Sequence, residues 1–246
     1  MLSFLTLLCI LSAMMFPTFM ICLFYPFSKR LALFWSNYIT CRTARLLFAC
    51  LKLYRKFDFI KYDDNLETLP KQFVVVSNHQ SLFDIVVYLC FFGGLRTRFV
   101  AKDSLGTAPM VGKMLRTQGH CLIPRKGSPT VAMKKIDQFG ERVMKNDLIP
   151  VVFPEGTRSR DGELRTFYAA GFRRLAQSTK LPVAVCALDG GWNISNINTI
   201  FKNLKRGAYR VKVLKVYDAP QNKEEELHIL EEGKELIQKQ LDEWRN

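Results

Sequence analysis

The chain has 246 residues, of which 48% are hydrophobic, so it can bury a core and is not an intrinsically disordered protein. Its 36 Lys and Arg residues outnumber 22 Asp and Glu residues and leave a net charge of +14. This charge favours an anionic partner such as nucleic acid, a membrane surface or a phosphorylated substrate. The cysteines form no C-x-x-C pair, so they indicate neither a zinc ribbon nor a disulfide framework.

Residues 1–27 form an apolar stretch without a charged side chain. About 20 apolar residues suffice to cross a bilayer. The lack of a basic residue before the stretch argues against a cleavable signal peptide. Pro17 and Pro26 should kink or end helices, so a re-entrant helix pair in one leaflet is an alternative to a straight span. The sequence therefore predicts contact with the bilayer and leaves the manner of insertion open.

A basic segment follows the apolar stretch and mixes Leu, Phe and Trp with spaced Arg and Lys up to Phe57. This composition is typical of a helix that lies in the membrane interface. Basic residues directly after an apolar stretch are attracted to the anionic cytoplasmic leaflet, which favours a membrane over nucleic acid as the partner. We therefore predict membrane-anchoring helices over residues 1–57. The domain over residues 58–246 should face the cytoplasm, at a cell inner membrane or an endomembrane.

Beyond Phe57 the chain alternates between predicted strands and helices. The predicted strands are 72–77, 96–102, 148–153, 181–188 and 209–217. The predicted helices are 81–92, one that closes at 140–146, 167–179, and a tail helix from Glu224. Apolar strands separated by helices predict an α/β fold with a central, mostly parallel or mixed sheet flanked by helices.

The stretch Asn-His-Gln-Ser-Leu-Phe-Asp, residues 78–84, lies where the first predicted strand stops and a helix begins. In an open α/β sheet, ligands bind at that end of the strands. His79 and Asp84 can meet only if His79 precedes the helix and Asp84 lies in its first turn. Ser81 and Asp84 have the S-x-x-D form of a capping box, which predicts this arrangement. The pair could deprotonate a hydroxyl, whereas the capping box by itself would leave Asp84 a structural residue.

The stretch Phe-Pro-Glu-Gly-Thr-Arg-Ser, residues 153–159, follows another predicted strand and should form a tight loop. Gly156 would let backbone amides approach a ligand, and Thr157 adds a hydroxyl. Arg158 offers two parallel donors to a phosphate. A turn with a surface salt bridge is the alternative for this loop.

Lys102 and Arg125 are further basic candidates, each placed after an apolar run. Gly106 and Gly112 do not make a phosphate-binding loop, because the spacing is one residue too long. The histidines are too few and too scattered to hold zinc, so we predict no metal. Cys121 lies in an apolar run that predicts a core position, and no G-x-S-x-G elbow is present. The hydroxyl to be activated should therefore arrive on a substrate.

Taken in order, these stretches resemble four sequence blocks of the glycerolipid acyltransferase family, and within it the 1-acylglycerol-3-phosphate acyltransferases. The block N/H-H-x-x-x-x-D is similar to residues 78–84. The K-x-S-L block with its later G…I-x-R resembles residues 101–125, and F-P-E-G-T-R-S is matched at every position of 153–159. The fourth block, an apolar strand around Pro-Val, resembles residues 181–191 more loosely.

The resemblance implies a glycerol-3-phosphate acyltransferase-like fold and transfer of a fatty acyl group from a thioester, acyl-CoA or acyl carrier protein. The implied acceptor is the sn-2 hydroxyl of lysophosphatidate, and the product is phosphatidic acid for phospholipid synthesis. No cofactor is implied. His79 would be the base and Asp84 the carboxylate that orients it. The implied substrate-binding residues are Lys102 and Arg158 at the phosphate, Arg125 as a helper, Glu155, Gly156 and Thr157 around the glycerol, and Asn78.

Three alternatives stay open at this point. The acceptor could be glycerol 3-phosphate, another lysophospholipid or a lyso-aminolipid. A transacylase that takes its acyl group from a phospholipid would share His79 and Asp84. A non-catalytic membrane scaffold that retains the fold would belong to a different functional class.

Overall fold

The structure is a computed structural model that describes residues 2–55, 57–62, 65–67, 69–108, 111–124, 128–195 and 207–246. Arg125, one of the predicted substrate-binding residues, lies outside the described residues.

Three helices form the amino-terminal part of the chain. They are α1 (Leu2–Phe24), α2 (Lys29–Tyr38) and α3 (Ala44–Arg55), with a π-helical turn at Ile39–Thr43 between α2 and α3. Pro17 lies inside α1, so of the two predicted effects, a kink or a helix end, it does not produce the helix end, whereas Pro26 lies in the turn that follows α1. Within the described part of the chain, no helix is both long enough and apolar enough to cross a membrane. The membrane-anchoring role of residues 1–57 stays a prediction.

The amino-terminal helices contact the rest of the chain through Phe48 and Leu51, which are buried in the hydrophobic core, and through small and polar residues. A Cβ atom placed on Gly94 would lie 2.4 Å from the carbonyl oxygen of Thr40, so this approach requires glycine. The hydroxyl of Thr40 donates to the Gly94 carbonyl at 3.3 Å, and the Gln118 amide donates to the side chain of Asn37 at 3.0 Å. These contacts fix α2 and the π-helical turn beside Gly94 and Gln118.

Seven strands form one sheet. They are β1 (Phe57–Tyr62), β2 (Val74–Ser77), β3 (Thr97–Lys102), β4 (Cys121–Ile123), β5 (Ile149–Val152), β6 (Val183–Asp189) and β7 (Gly207–Tyr217). Their order in the sheet is β1-β7-β6-β2-β5-β3-β4. Every neighbouring pair is parallel except β6 and β7, which are antiparallel. The sheet is therefore mixed and mostly parallel, as predicted, and β4 forms one edge.

Helices cover both faces of the sheet. They are α4 (Phe83–Tyr88), which continues as a π-helical turn at Leu89–Gly93, α5 (Gly112–Thr117), α6 (Pro129–Lys145), α7 (Ala169–Thr179) and α8 (Lys223–Arg245). Short 3₁₀ turns lie at Asp103–Thr107 and Trp192–Ile194. Alternate strand residues enter two separate cores, because successive side chains of a strand point to opposite faces. Val75 packs with Phe99 on one face, and Val74 and Val76 pack with Phe172 on the other.

Two strands were not expected from the sequence. Residues 57–62 were assigned in part to an interfacial helix, but they form β1, which pairs with the distant β7. The three residues of β4 are too few to show a periodicity. The tail helix begins at Lys223, one residue before the predicted start, and it buries Leu230, Ile237 and Leu241. It also buries Glu226, whose carboxylate accepts from Arg173 Nε at 2.7 Å.

Candidate active site

Three stretches singled out in the sequence meet at the carboxyl ends of neighbouring strands. Each follows the carboxyl end of a parallel strand: residues 78–84 follow β2, residues 153–159 follow β5, and Lys102 ends β3. The strands β2, β5 and β3 are adjacent in the sheet, so their carboxyl ends lie side by side. Ligands bind at the carboxyl ends of the strands in open α/β sheets.

His79 and Asp84 are in direct contact. The distance from His79 Nδ1 to Asp84 Oδ2 is 2.6 Å, and the Asp84 side chain is fully buried. His79 precedes α4, and Asp84 lies in the first turn of α4, as the spacing required. Because a carboxylate accepts hydrogen bonds, the proton of a neutral imidazole belongs on Nδ1, which leaves Nε2 as the acceptor.

The helix start differs in detail from the predicted capping box. Leu82, not Ser81, is the residue that directly precedes α4, and the Ser81 hydroxyl accepts from Phe83 N at 3.3 Å. Asp84 does reach back, as its Oδ2 accepts from the backbone N–H groups of Gln80 at 2.6 Å and Ser81 at 3.0 Å. One carboxylate oxygen therefore ties the helix start and the imidazole together.

Tyr209 holds the other oxygen of Asp84, and the sequence did not indicate it. Its hydroxyl, fully buried on β7, donates to Asp84 Oδ1. Burial, followed by the negative charge of Asp84, raises the pKa of Tyr209 well above its ordinary value, so the phenol stays a donor. A Cβ atom on Gly191 would lie 2.0 Å from the Tyr209 oxygen, so glycine is required there. No periodicity could have linked residues 125 positions apart.

A column of aromatic rings supports the imidazole. The ring of Phe153 stacks on His79 with centroids 4.2 Å apart and planes 13° apart. Phe99 stacks on Phe153 at 6.3 Å, and His120 stacks on Phe99 at 5.7 Å. Stacking on Phe153 restricts the plane of the His79 imidazole.

A cavity of about 270 Å³ opens beside His79. Its lining is His79, Leu82, Ile85, Phe99, Val100, Ala101, Lys102, Leu105, Ile123, Val152, Phe153, Gly156, Thr157 and Arg158. Lys102 and Arg158 carry positive charge, and no carboxylate lines the cavity among the described residues. Most of the other lining side chains are apolar. The cavity thus offers a base, two cations and an apolar wall, which suit an amphiphile with an anionic group.

Glu155 lies behind the cavity and does not line it. Its side chain is 2% exposed, and its two oxygens accept from His79 N at 2.7 Å and from Arg165 N at 3.1 Å. Burial raises the pKa of Glu155, and the hydrogen bond from His79 N partly opposes that shift. Glu155 therefore fixes the backbone of His79. Gly156 follows with a φ of +63°, a left-handed conformation that favours glycine.

Asn78 differs most from its predicted place. Its amide nitrogen donates to the Leu188 carbonyl at 2.8 Å, and its oxygen accepts from Leu188 N at 2.9 Å. The residue is 1% exposed and does not line the cavity. Instead of facing a substrate, Asn78 joins the ends of β2 and β6.

Cys121 is placed as the sequence predicted, in the core. Its thiol contacts the Lys135 carbonyl at 3.7 Å, and burial raises its pKa to about 12. A protonated, buried thiol is a poor nucleophile. No group of three potential metal ligands occurs within the described ranges.

Comparisons with known proteins identify the family. A family model described as Acyltransferase matches residues 61–189. A 1-acyl-sn-glycerol-3-phosphate acyltransferase of Cocos nucifera is 34% identical over 119 residues, which cover 48% of this chain and 37% of that protein. One of Saccharomyces cerevisiae is 30% identical over 179 residues, 70% of this chain and 56% of that protein. The chain thus spans between about a third and just over half of the length of these relatives.

A solved structure shares the fold. The crystal structure of the 1-acyl-sn-glycerophosphate (LPA) acyltransferase from Thermotoga maritima superposes with a TM-score of 0.63 at 24% identity, covering 88% of this chain and 81% of that chain. The family match spans β2 to β6 and includes both residues of the His79–Asp84 contact. The chain belongs to the acyltransferase family.

Proposed function

We propose that the protein transfers a fatty acyl group from a thioester to the sn-2 hydroxyl of 1-acylglycerol 3-phosphate and forms phosphatidic acid. The observation that carries the proposal is the contact of His79 with Asp84 at the mouth of a cavity that contains two cations and no carboxylate among its described lining residues. The names of the relatives from Cocos nucifera and Saccharomyces cerevisiae support the same acceptor.

The reaction needs a base for the acceptor hydroxyl. His79 Nε2 accepts the hydroxyl proton while the hydroxyl oxygen attacks the thioester carbonyl. The carbon–sulfur bond then breaks, and the proton passes from the imidazolium to the departing sulfur, so the products are an ester and a free thiol. Asp84 orients the ring and stabilises its positive charge, as the aspartate of a serine hydrolase triad does, with the substrate hydroxyl in place of serine.

The cations select the acceptor. Lys102 and Arg158 line the same cavity as His79, and both can bind the phosphate of a lysophosphatidate. Leu82, Ile85 and Leu105 supply an apolar wall for its acyl chain. A phosphate monoester satisfies the two cations, whereas a choline headgroup would add a positive charge beside them. This charge distribution favours lysophosphatidate over lysophosphatidylcholine.

The substrates are expected at a membrane surface. Large apolar side chains on the amino-terminal helices are exposed, including Phe16, Phe19 and Phe34 at 56–60%. An exposed apolar patch of this kind suits contact with lipid. We therefore place residues 1–57 in the bilayer or its interface and the active site at its cytoplasmic side. The donor is acyl-CoA or an acylated carrier protein, with no resident cofactor.

Release of thiol by the purified protein in detergent tests the proposal. Acyl-CoA is the donor, and lysophosphatidate, glycerol 3-phosphate and lysophosphatidylcholine are offered as separate acceptors. We expect phosphatidic acid from lysophosphatidate and little product from the other two. Product from another acceptor alone would refute the proposed acceptor. No thiol release with any acceptor, from either acyl-CoA or an acylated carrier protein, would refute transfer from a thioester and leave the transacylase and scaffold alternatives.

A further inference from the structure

A second cavity lies at the β4 edge of the sheet, and we name it the edge recess. Its volume is about 340 Å³, which exceeds that of the cavity beside His79. The edge recess is lined by Arg116, Gly119, His120, Cys121, Leu122, Lys135, Gln138 and Arg142. None of these residues belongs to the lining of the first cavity. It is therefore a separate concave surface with its own set of side chains.

The charge of the edge recess is positive. Arg116 comes from α5, and Lys135 and Arg142 come from α6. No acidic side chain lines the recess, and no ion pair involves these three residues in the part of the chain that the structure describes. Asp137, on the same helix, is paired with Arg174 instead, at 2.5 Å. Three cations around one concavity create a positive potential that would attract an anion.

The edge recess and the active-site cavity share a wall. Leu105 lines the active-site cavity, and the next residue, Gly106, packs against two residues of the recess. A Cβ atom on Gly106 would lie 2.7 Å from Leu122 Cδ1 and 3.4 Å from Arg116 Nε. The strand β4 continues this wall, with Cys121 lining the recess and Ile123 lining the active-site cavity, ~7 Å farther along the strand. A ligand with a long arm could occupy both cavities.

We propose that the edge recess binds the phosphate groups of coenzyme A when acyl-CoA is the donor. The inference rests on the proposed acyl transfer. In acyl-CoA, a long flexible arm separates the thioester from three phosphates, which matches a reactive cavity with a cationic recess beside it. Basic side chains on exposed helix faces are often simply solvated surface residues. That alternative requires no ligand, so a binding experiment separates the two explanations.

The first test measures binding and needs no turnover. Binding of coenzyme A to the full chain in detergent micelles is followed by calorimetry for the parent, for K135E/R142E in the recess, and for K134E/K145E. The second pair lies on the same helix outside the recess and changes the net charge equally. We expect about tenfold or greater loss of affinity in the recess variant alone, because each lost phosphate contact can cost about tenfold. Melting curves and the charge-neutral K135Q/R142Q variant check that the fold is retained.

Two binding results would overturn the proposal. Equal affinity of the parent and K135E/R142E for coenzyme A would show that the recess does not hold the nucleotide. Loss of binding to vesicles of anionic phospholipid, with binding to coenzyme A unchanged, would assign the recess to lipid headgroups. Inorganic pyrophosphate serves as a further probe, and it should compete with coenzyme A in the parent if the recess recognises phosphate.

A kinetic test separates this inference from the proposed function. Against acyl-CoA, K135E/R142E should raise the KM for the donor about tenfold and leave the KM for lysophosphatidate unchanged. Against an acyl-N-acetylcysteamine thioester, which lacks the nucleotide, the same variant and the parent should react equally. Equal losses with both donors would refute a role in binding the nucleotide. If no thioester reacts at all, the proposed function fails, and the binding test still decides whether the recess holds coenzyme A.

Discussion

Two histidines stand at opposite ends of one stack of rings, and they differ in almost every property that matters for chemistry. His79 donates from Nδ1 to the Asp84 carboxylate and lines a cavity. His120 accepts at Nδ1 from the Phe99 N–H at 3.0 Å, so its proton belongs on Nε2, which lies 3.2 Å from the Gln118 side-chain oxygen. Burial, aided by the charge of Arg98, lowers the pKa of His120 to about 3.

The difference shows that burial alone does not make a histidine into a base. His120 is held neutral because an imidazolium there would lose hydration and face a cation. Asp84 supplies His79 with a negative charge, and the backbone amides of Gln80 and Ser81 together with the Tyr209 hydroxyl keep that charge in place. We infer that the buried carboxylate and the groups that donate to it, more than the imidazole ring itself, distinguish the proposed base His79 from His120.

The largest effect should follow from removal of the proposed base. His79→Ala should lower turnover of acyl-CoA with lysophosphatidate by about 10²–10⁴-fold, which is the usual contribution of a general base. His228→Ala is the matched control, since His228 is exposed on α8 and contacts only Glu232 among its described ion pairs. Steady-state rates of thiol release check the prediction. A His79→Ala enzyme with more than a tenth of the parent rate would refute the mechanism.

The next largest effect should follow from loss of a cation in the cavity beside His79. Arg158→Ala should raise the KM for lysophosphatidate by about tenfold or more and change the KM for acyl-CoA much less, because a charge-assisted bond to phosphate is lost. Arg160→Ala is the control, as Arg160 is exposed on the same loop and does not line the cavity. Equal changes in the two KM values would contradict a phosphate role for Arg158.

A smaller effect should follow from loss of the hydroxyl that holds Asp84. Tyr209→Phe keeps the ring and should lower kcat about tenfold, since one hydrogen bond to a buried charge is removed. The acid limb of the pH–rate profile should move to higher pH, because the carboxylate then offers more negative charge to the imidazolium. Tyr217→Phe, on the same strand but bonded to Glu232, is the control. A loss of rate without a shift of the profile would indicate packing alone.

The smallest effect on activity is expected at His120. His120 also lines the edge recess, so turnover of His120→Asn is compared at saturating acyl-CoA, where it should change less than threefold. The variant should alter the pH dependence of stability. The unfolded chain takes up a proton on His120 below its ordinary pKa of 6.5, and the folded chain does so only near 3. The parent should therefore lose about 2 kcal/mol of unfolding free energy between pH 6.5 and 5 from this residue. The unfolding free energy of the variant, measured with denaturant, should lack that loss between pH 6.5 and 5. The same pH dependence in the variant and the parent would refute the assignment.

The His79–Asp84 contact was predictable because it is local. Five residues separate the two side chains, and the start of α4 turns Asp84 back towards His79. The loop after β5 was predictable for the same reason, because its conformation depends on its own Pro, Gly and charged residues. Glu155 was expected beside the substrate, but its carboxylate holds the His79 backbone. Sequence can indicate that a polar residue belongs to a site without indicating which group it contacts.

Asn78 and Tyr209 show where prediction from sequence stops. Asn78 bonds to Leu188, 110 residues away, and Tyr209 bonds to Asp84 across 125 residues. The first contact depends on the parallel pairing of β2 with β6, and the second depends on the place of β7 in the sheet, where it pairs antiparallel with β6. The edge recess depends in the same way on β4, α5 and α6, which the tertiary fold brings together.

The class of fold, the local pair His79 and Asp84, and the loop that carries Arg158 could be predicted from the amino-acid sequence. These features follow from periodicity and from contacts within a few residues, where the covalent chain limits the possible geometries. The adjacency of β2, β5 and β3, which brings Lys102 and Arg158 to His79, became visible only in the folded chain. The hydrogen bond from Tyr209 to Asp84 also became visible only there. The physical reason is that strand order is set by the packing of both faces of the sheet, which is a property of the whole chain.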